Sequence, residues 1–157
     1  MAEELQAAHR EAYLQLAGTV RPLPGSDALL QRLTDLAVPW AIATSSGQVT
    51  AARTMSLLRM PANVPVITRD RVRWAKPDPD LFLAAADELG VPIEDCVVVG
   101  DSVWDLLAAR RARALGIGLL SGGYGQEELE RAGAFRVYED PADMLSHLDE
   151  IGIRDAD

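Results

Sequence analysis

The chain has 157 residues, 48% of them hydrophobic and 25% charged, the size and balance of one globular domain. A formal charge of −9 argues against a general nucleic-acid binder, which needs a basic surface. The absence of any apolar run of about 18 residues excludes a transmembrane helix.

In chain order, residues 3–17 read as a helix whose Glu3, Glu4, Arg10 and Glu11 do not fit the apolar centre of a secretory signal. Ser26 reads as the N-cap of a second helix carrying Leu29, Leu30, Leu33 and Leu36 at helical spacing. Val38–Ala43 is predicted as a buried strand, ended by Thr44-Ser45-Ser46-Gly47 and followed by a helix over about 49–58. Val64–Ile67 is a short strand and Arg69–Lys76 a polar loop. Asp78 is predicted to cap a helix with Pro79 in its first position and Gly90 at its end. Cys96–Val99 is the clearest strand, because small and β-branched residues run together. Gly100-Asp101-Ser102 then turns into a helix reaching about Leu115. Ile117–Leu120 is a strand, Ser121–Gly125 a glycine-rich loop and Gln126–Ala132 a short helix. Phe135–Tyr138 and Pro141–Ile151 close the chain as strand and helix, ahead of a frayed tail at 153–157. Cys96 is the only cysteine. No intrachain disulfide can form, and a reducing, cytoplasmic setting is expected.

Strands separated by helices imply an α/β fold, a Rossmann-like parallel sheet with helices on its faces. The loops at the carboxyl ends of such strands form the binding crevice, and three polar clusters lie in or near them. Thr44–Gly47 offers two kinds of group to an anion, hydroxyls and backbone N–H groups at a helix start; the plainer reading is a helix cap. Lys76, held extended by Pro77, offers an ammonium to a phosphoryl oxygen or carboxylate, against the plainer reading of a solvated lysine. Asp101 and Asp105 offer two carboxylates to a hard cation such as Mg²⁺, or else complement the dipole of the helix that follows. Cys96 reads as a core residue and Trp40 as packing beside its strand. Trp104 is expected at the crevice edge or under it, Gly122–Gly125 as a flexible connection in preference to a loop that approaches a ligand, and Arg110, Arg111 and Arg113 as a solvated helix face.

Taken in order, four stretches resemble the haloacid dehalogenase superfamily, chiefly its phosphoglycolate phosphatase and β-phosphoglucomutase branch. They are Leu23-Pro24-Gly25, Ala41-Ile42-Ala43-Thr44-Ser45-Ser46, Ala75-Lys76-Pro77-Asp78-Pro79 and Val99-Gly100-Asp101-Ser102-Val103-Trp104-Asp105. The resemblance covers about residues 22–150. It implies a core domain over 21–152 and, in 1–20, the end of a helical cap. It also implies Mg²⁺-dependent hydrolysis of a small phosphorylated metabolite. Thr44 would bind the transferring phosphoryl group with the Ser45 amide beside it, and Lys76 would neutralise its charge. Asp101 would be a Mg²⁺ ligand, and Asp105 would support the metal shell or Lys76. Asp101 favours a metal-dependent phosphatase over a metal-free dehalogenase.

The family's first motif, an apolar strand ending in Asp-x-Asp, supplies the nucleophile and belongs upstream of the cap. Of the two Asp-x-Asp triplets here, Asp78-Pro79-Asp80 opens a helix and Asp155-Ala156-Asp157 is the C-terminus. The expectation is therefore a truncated chain without its nucleophilic aspartate, binding Mg²⁺ weakly and inactive alone. The missing strand would lie between the strands ending at Ala43 and Val99. Those two strands then pair directly, or another segment fills the gap, or the chain is unstable alone. The chain would thus be a piece of a phosphatase, a half of a split enzyme awaiting its N-terminal segment, or a non-catalytic binding module, possible as a homodimer through the open edge.

Overall fold

A computed structural model describes residues 2–16 and 18–154. Five short strands alternate with seven helices: α1 (Ala2–Leu16), α2 (Ser26–Asp35), β1 (Ile42–Ala43), α3 (Gln48–Met55), β2 (Val66–Ile67), α4 (Asp80–Leu89), β3 (Val97–Gly100), α5 (Val103–Ala112), β4 (Leu115–Leu119), α6 (Gln126–Ala132), β5 (Ala134–Tyr138) and α7 (Pro141–Ser146). Every strand pairing is parallel, as the alternation of elements requires. None of the described helices is long and apolar enough to cross a membrane.

The strands form two separate sheets, β1–β2 and β3–β4–β5. Among the described residues β1 and β3 do not pair, and no segment lies hydrogen-bonded between them. Ile42 N and Thr44 N donate across to Pro65 and Ile67, so the peptide groups of Ala43 face the opposite, open edge. In β3 the Cys96 carbonyl accepts from Leu115 N, so by the same alternation Val97 and Val99 turn their peptide groups to an open edge. Their side chains are 36% and 39% exposed, whereas Val98 between them is buried.

What holds the two sheets side by side is a helical layer. Val98 packs with Phe82 of α4 and with Ala108 and Ala109 of α5, and Ala43 of β1 joins the same cluster. On the opposite face Ile117, Leu119 and Tyr138 pack against Leu29 of α2 and Met144 of α7, following the period-two alternation of β4. A third cluster sets Leu106 of α5 against Leu129 and Ala132 of α6. Helix α1 touches α3 through a hydrogen bond shared by the Tyr13 and Thr54 hydroxyls.

Several boundaries differ from the sequence reading. Gly25, with φ 76°, stands at the N-cap of α2, and Ser26 is its first helical residue without a capping bond. Pro79 rather than Asp78 precedes α4, while Gly90 ends it with φ 66° as expected. Helix α5 stops at Ala112, because Arg113 takes a left-handed turn (φ 68°) and frees Leu115 for β4. The final helix breaks at His147 into α7 and a 3₁₀ turn over Leu148–Ile151. Ile153 packs on the Leu148 cluster; residues 155–157 lie outside the described residues. Ile117 is fully enclosed between the helical layers. Ile117→Ala is expected to cost about 3 kcal/mol in urea unfolding, with no change in the far-ultraviolet spectrum of the folded state.

Candidate active site

The loops that leave β1, β2 and β3 gather at one rim, and Lys76 is their meeting point. Its ammonium donates to the Ala43 carbonyl at 3.1 Å and pairs with Asp105 Oδ1 at 2.7 Å. Both side chains are largely buried, 15% and 9% exposed. Phe82 lies under the ammonium, 5.0 Å from ring centre to Nζ. An ammonium has three donors. Two are used here, so one is left for a ligand, beside the start of the Thr44 loop.

Asp105 is spoken for on both oxygens. Oδ1 meets Lys76, and Oδ2 accepts from the Ser102 hydroxyl at 2.7 Å and the Ser102 amide at 3.1 Å. With Asp105 N donating back to Ser102 Oγ, this is a capping box that starts α5. The carboxylate can lie this close to β3 because residue 100 is glycine: a Cβ there would sit 2.3 Å from Asp105 Cβ.

Asp101, by contrast, is half-buried and points its charge at neighbours that do not welcome it. Burial pushes its carboxyl above the usual range, and the Asp105 carboxylate pushes the same way. Its own amide and Lys76 pull it back only in part. An oxygen-seeking cation would relieve that strain. Among the described residues no group of three or more His, Cys, Asp and Glu side chains is gathered as ligands. Asp101 is the rim carboxylate that could hold such an ion, but the described residues do not gather a full set of ligands around it.

Thr44 completes the rim. Ser46 N donates to its Oγ1 at 3.1 Å, which engages one lone pair and does not use the O–H as a donor. Ser45 is exposed next to it. The structure thus brings together the Thr44–Ser45 turn, Lys76, Asp101 and Asp105.

A profile of haloacid dehalogenase-like hydrolases matches residues 2–113. The chain belongs to that family. It is 37% identical over 93 residues to hexitol phosphatase A of Escherichia coli strain K12, covering 59% of this chain and 43% of that one. It is 34% identical over 110 residues to the phosphoglycolate phosphatase of Neisseria meningitidis, covering 69% and 46%. The chain spans about half the length of these curated relatives. A hydrolase of known structure from Pseudomonas syringae is 53% identical, with a TM-score of 0.93 over 96% of this chain and 70% of that one.

Some residues that build this rim escaped the sequence reading. Arg111, expected on a solvated face, donates to the Pro77 carbonyl at 3.0 Å and braces the Lys76 loop from α5. Asp80 accepts from Trp74 N at 3.2 Å on the other side of that loop. Gly122, expected in a flexible connection, presses on Asp101: a Cβ there would stand 2.0 Å from the Asp101 carbonyl oxygen. The signal for Gly122 was its glycine run; that for Arg111 is invisible without the fold. Trp104 and Trp74 stand half-exposed.

Three outcomes test this geometry. Asp105→Ala leaves the Lys76 ammonium buried without its partner and is expected to lose about 3 kcal/mol of stability in urea unfolding. Gly122→Ala forces a backbone contact that cannot relax into a rotamer, and is expected to cost about 2 kcal/mol or more on the same assay. Asp101→Asn goes the other way. A carboxyl whose pKa is raised by folding stabilises the fold only when protonated, and that advantage is lost as the pH rises from the unfolded value through the folded one. Asp101→Asn is therefore expected to raise Tm at pH 7, with the gain fading as the pH falls through the raised value of Asp101 and gone below the ordinary carboxylate value.

Proposed function

We propose that this rim is the phosphoryl-binding half of a phosphatase acting on a small phosphorylated metabolite. The observation that carries the reading is the Lys76 ammonium, fixed by Asp105 and by the carbonyl of Ala43, the residue before Thr44, with one donor spare. Phosphoryl transfer is catalysed mostly by positioning and by neutralising the equatorial oxygens. Thr44 and the Ser45 amide donate to those oxygens, and Lys76 supplies the positive charge. Asp101 would hold one side of Mg²⁺, whose bound form neutralises phosphoryl charge. Asp105 acts on Lys76, since both its oxygens are already engaged.

Of the carboxylates at the rim, Asp105 has both oxygens engaged and Asp101 is assigned to the ion, so neither is proposed as the nucleophile. The nucleophile is proposed to arrive on an extended apolar segment ending in Asp-x-Asp, seated between β1 and β3 and parallel to both. The facing open edges and the exposed Val97 and Val99 support that seat, since unpaired strand edges demand partners. The first carboxylate would attack phosphorus and form an aspartyl phosphate as the bond to the ester oxygen breaks; the second carboxyl would protonate that oxygen and then take a proton from the water that hydrolyses the aspartyl phosphate, releasing phosphate and restoring the first carboxylate.

The test compares two chains on p-nitrophenyl phosphate with Mg²⁺. The 157-residue chain is expected to release no phosphate above background. The same chain extended by an apolar segment ending in Asp-x-Asp is expected to turn over, and to lose activity with EDTA or with Lys76→Met. Robust turnover by the short chain alone overturns the need for the segment; silence of the folded extended chain overturns the phosphatase reading. The same open edges favour a second reading, a non-catalytic module that dimerises edge to edge. Light scattering decides it: a strict monomer at high concentration rules the dimer out.

A further inference from the structure

Helix α3 starts without a cap of its own. Its N-cap residue is Gly47, which has no side chain to offer, and helix N-termini attract negative charge. The charge comes from elsewhere in the chain. Asp70 Oδ2 accepts from Gln48 N at 2.6 Å across 22 residues, a charge-assisted bond. Gly47 permits the approach, since a Cβ there would stand only 3.2 Å from the same oxygen. Asp70 sits on a 3₁₀ turn, Arg69–Arg71, that is itself pinned: Arg69 donates to the Val72 carbonyl at 2.7 Å, and Arg71 pairs with Glu88 of α4.

We propose that Asp70 is a positioning residue for the Thr44 hydroxyl. The inference rests on the reading of Thr44 as a phosphoryl donor. The segment 67–70 holds the Thr44 loop at three points. Thr44 N donates to the Ile67 carbonyl at 2.9 Å and Arg69 N to the Ser46 carbonyl at 3.0 Å; the third is the Asp70 carboxylate. Only the third is made by a side chain. These bonds fix where Ser46 sits, and Ser46 N in turn orients Thr44 Oγ1. With Asp70 in place, the first free amide of α3 is already satisfied by protein. The ligand then meets the Thr44 hydroxyl and the Ser45 amide rather than the helix end.

Charge and geometry predict opposite signs, which makes the proposal testable. A carboxylate near an anion site repels the anion, so if Asp70 acted by charge alone its removal would tighten phosphate binding. If it acts by holding the loop, Asp70→Ala loosens binding, whereas Asp70→Asn keeps an acceptor oxygen for Gln48 N and sheds the repulsion. The experiment titrates inorganic phosphate with Mg²⁺ into the 157-residue chain and follows exchange of the Ser46 and Gln48 amides. Asp70→Ala is expected to weaken phosphate binding about five- to tenfold and to speed exchange at both amides. Asp70→Asn is expected to bind as tightly as the parent or more so. Asp140→Ala removes the side-chain cap of α7 and controls for simple loss of a helix cap; it is expected to leave phosphate affinity unchanged. Phosphate binding by Asp70→Ala as tight as the parent's, or weakening as large in Asp140→Ala, overturns the proposal. If the parent chain binds no phosphate, the phosphoryl-site reading fails separately. Asp70 is then judged on the Ser46 amide, whose unchanged exchange in Asp70→Ala overturns the positioning role.

Discussion

The buried ion pair between Lys76 and Asp105 is the interaction on which the rest of this structure turns. Two charges removed from water incur a large desolvation cost, and such a pair is tolerable only where the remaining lone pairs and protons find partners. Here they do. The second carboxylate oxygen is filled by the Ser102 hydroxyl and amide, and the ammonium is shared with the Ala43 carbonyl. The pair thus joins three things: the first turn of α5, the loop ahead of α4, and the open edge of β1.

That junction matters because the sheet is divided. The β1–β2 pair and the β3–β4–β5 sheet have no strand-to-strand hydrogen bonds between them. Their common support is the apolar layer of Phe82, Ala108 and Ala109, which touches both Ala43 and Val98. An apolar layer sets distance but little direction, since dispersion is not directional. Lys76 supplies direction at the carboxyl ends of the strands, where Thr44 and Asp101 emerge. Stability and the candidate chemistry therefore share one brace. Asp101 shows the opposite balance, a charge the fold disfavours and a cation would welcome, as strained groups at functional sites often are.

The site was legible where chemistry follows strand ends. Thr44, Lys76 and Asp101 each sit in or shortly after a loop that leaves a predicted strand, and the parallel α/β pattern sends such loops to one rim. Asp105 was legible as a carboxylate but not in its partners, since nothing in a linear sequence shows both oxygens to be occupied. Asp70 and Arg111 were not legible as site builders at all, and Gly122 only through its glycine run. Asp70 caps a helix that starts 22 residues earlier, and Arg111 reaches a carbonyl 34 residues back. Local pattern also misplaced two caps. Ser26 and Asp78 are good capping residues by type, yet Gly25 and Pro79 hold those positions: Gly25 takes a left-handed φ of 76° before α2, and Pro79 already has helical angles before α4.

By itself, the sequence determined the order of strands and helices, the parallel fold class and the family, because hydrophobic period and strand-end motifs are properties of short stretches. The tertiary structure alone decided among the outcomes open at the gap: among the described residues β1 and β3 neither pair nor take another segment between them, so the sheet comes in two parts. It also decided that Lys76 and Asp105 close on each other and that Asp70 serves a helix it does not belong to. Those outcomes depend on contacts between residues tens of positions apart. Such contacts are set by how apolar layers stack and by which buried charges find partners, and neither is written in any local run of the chain.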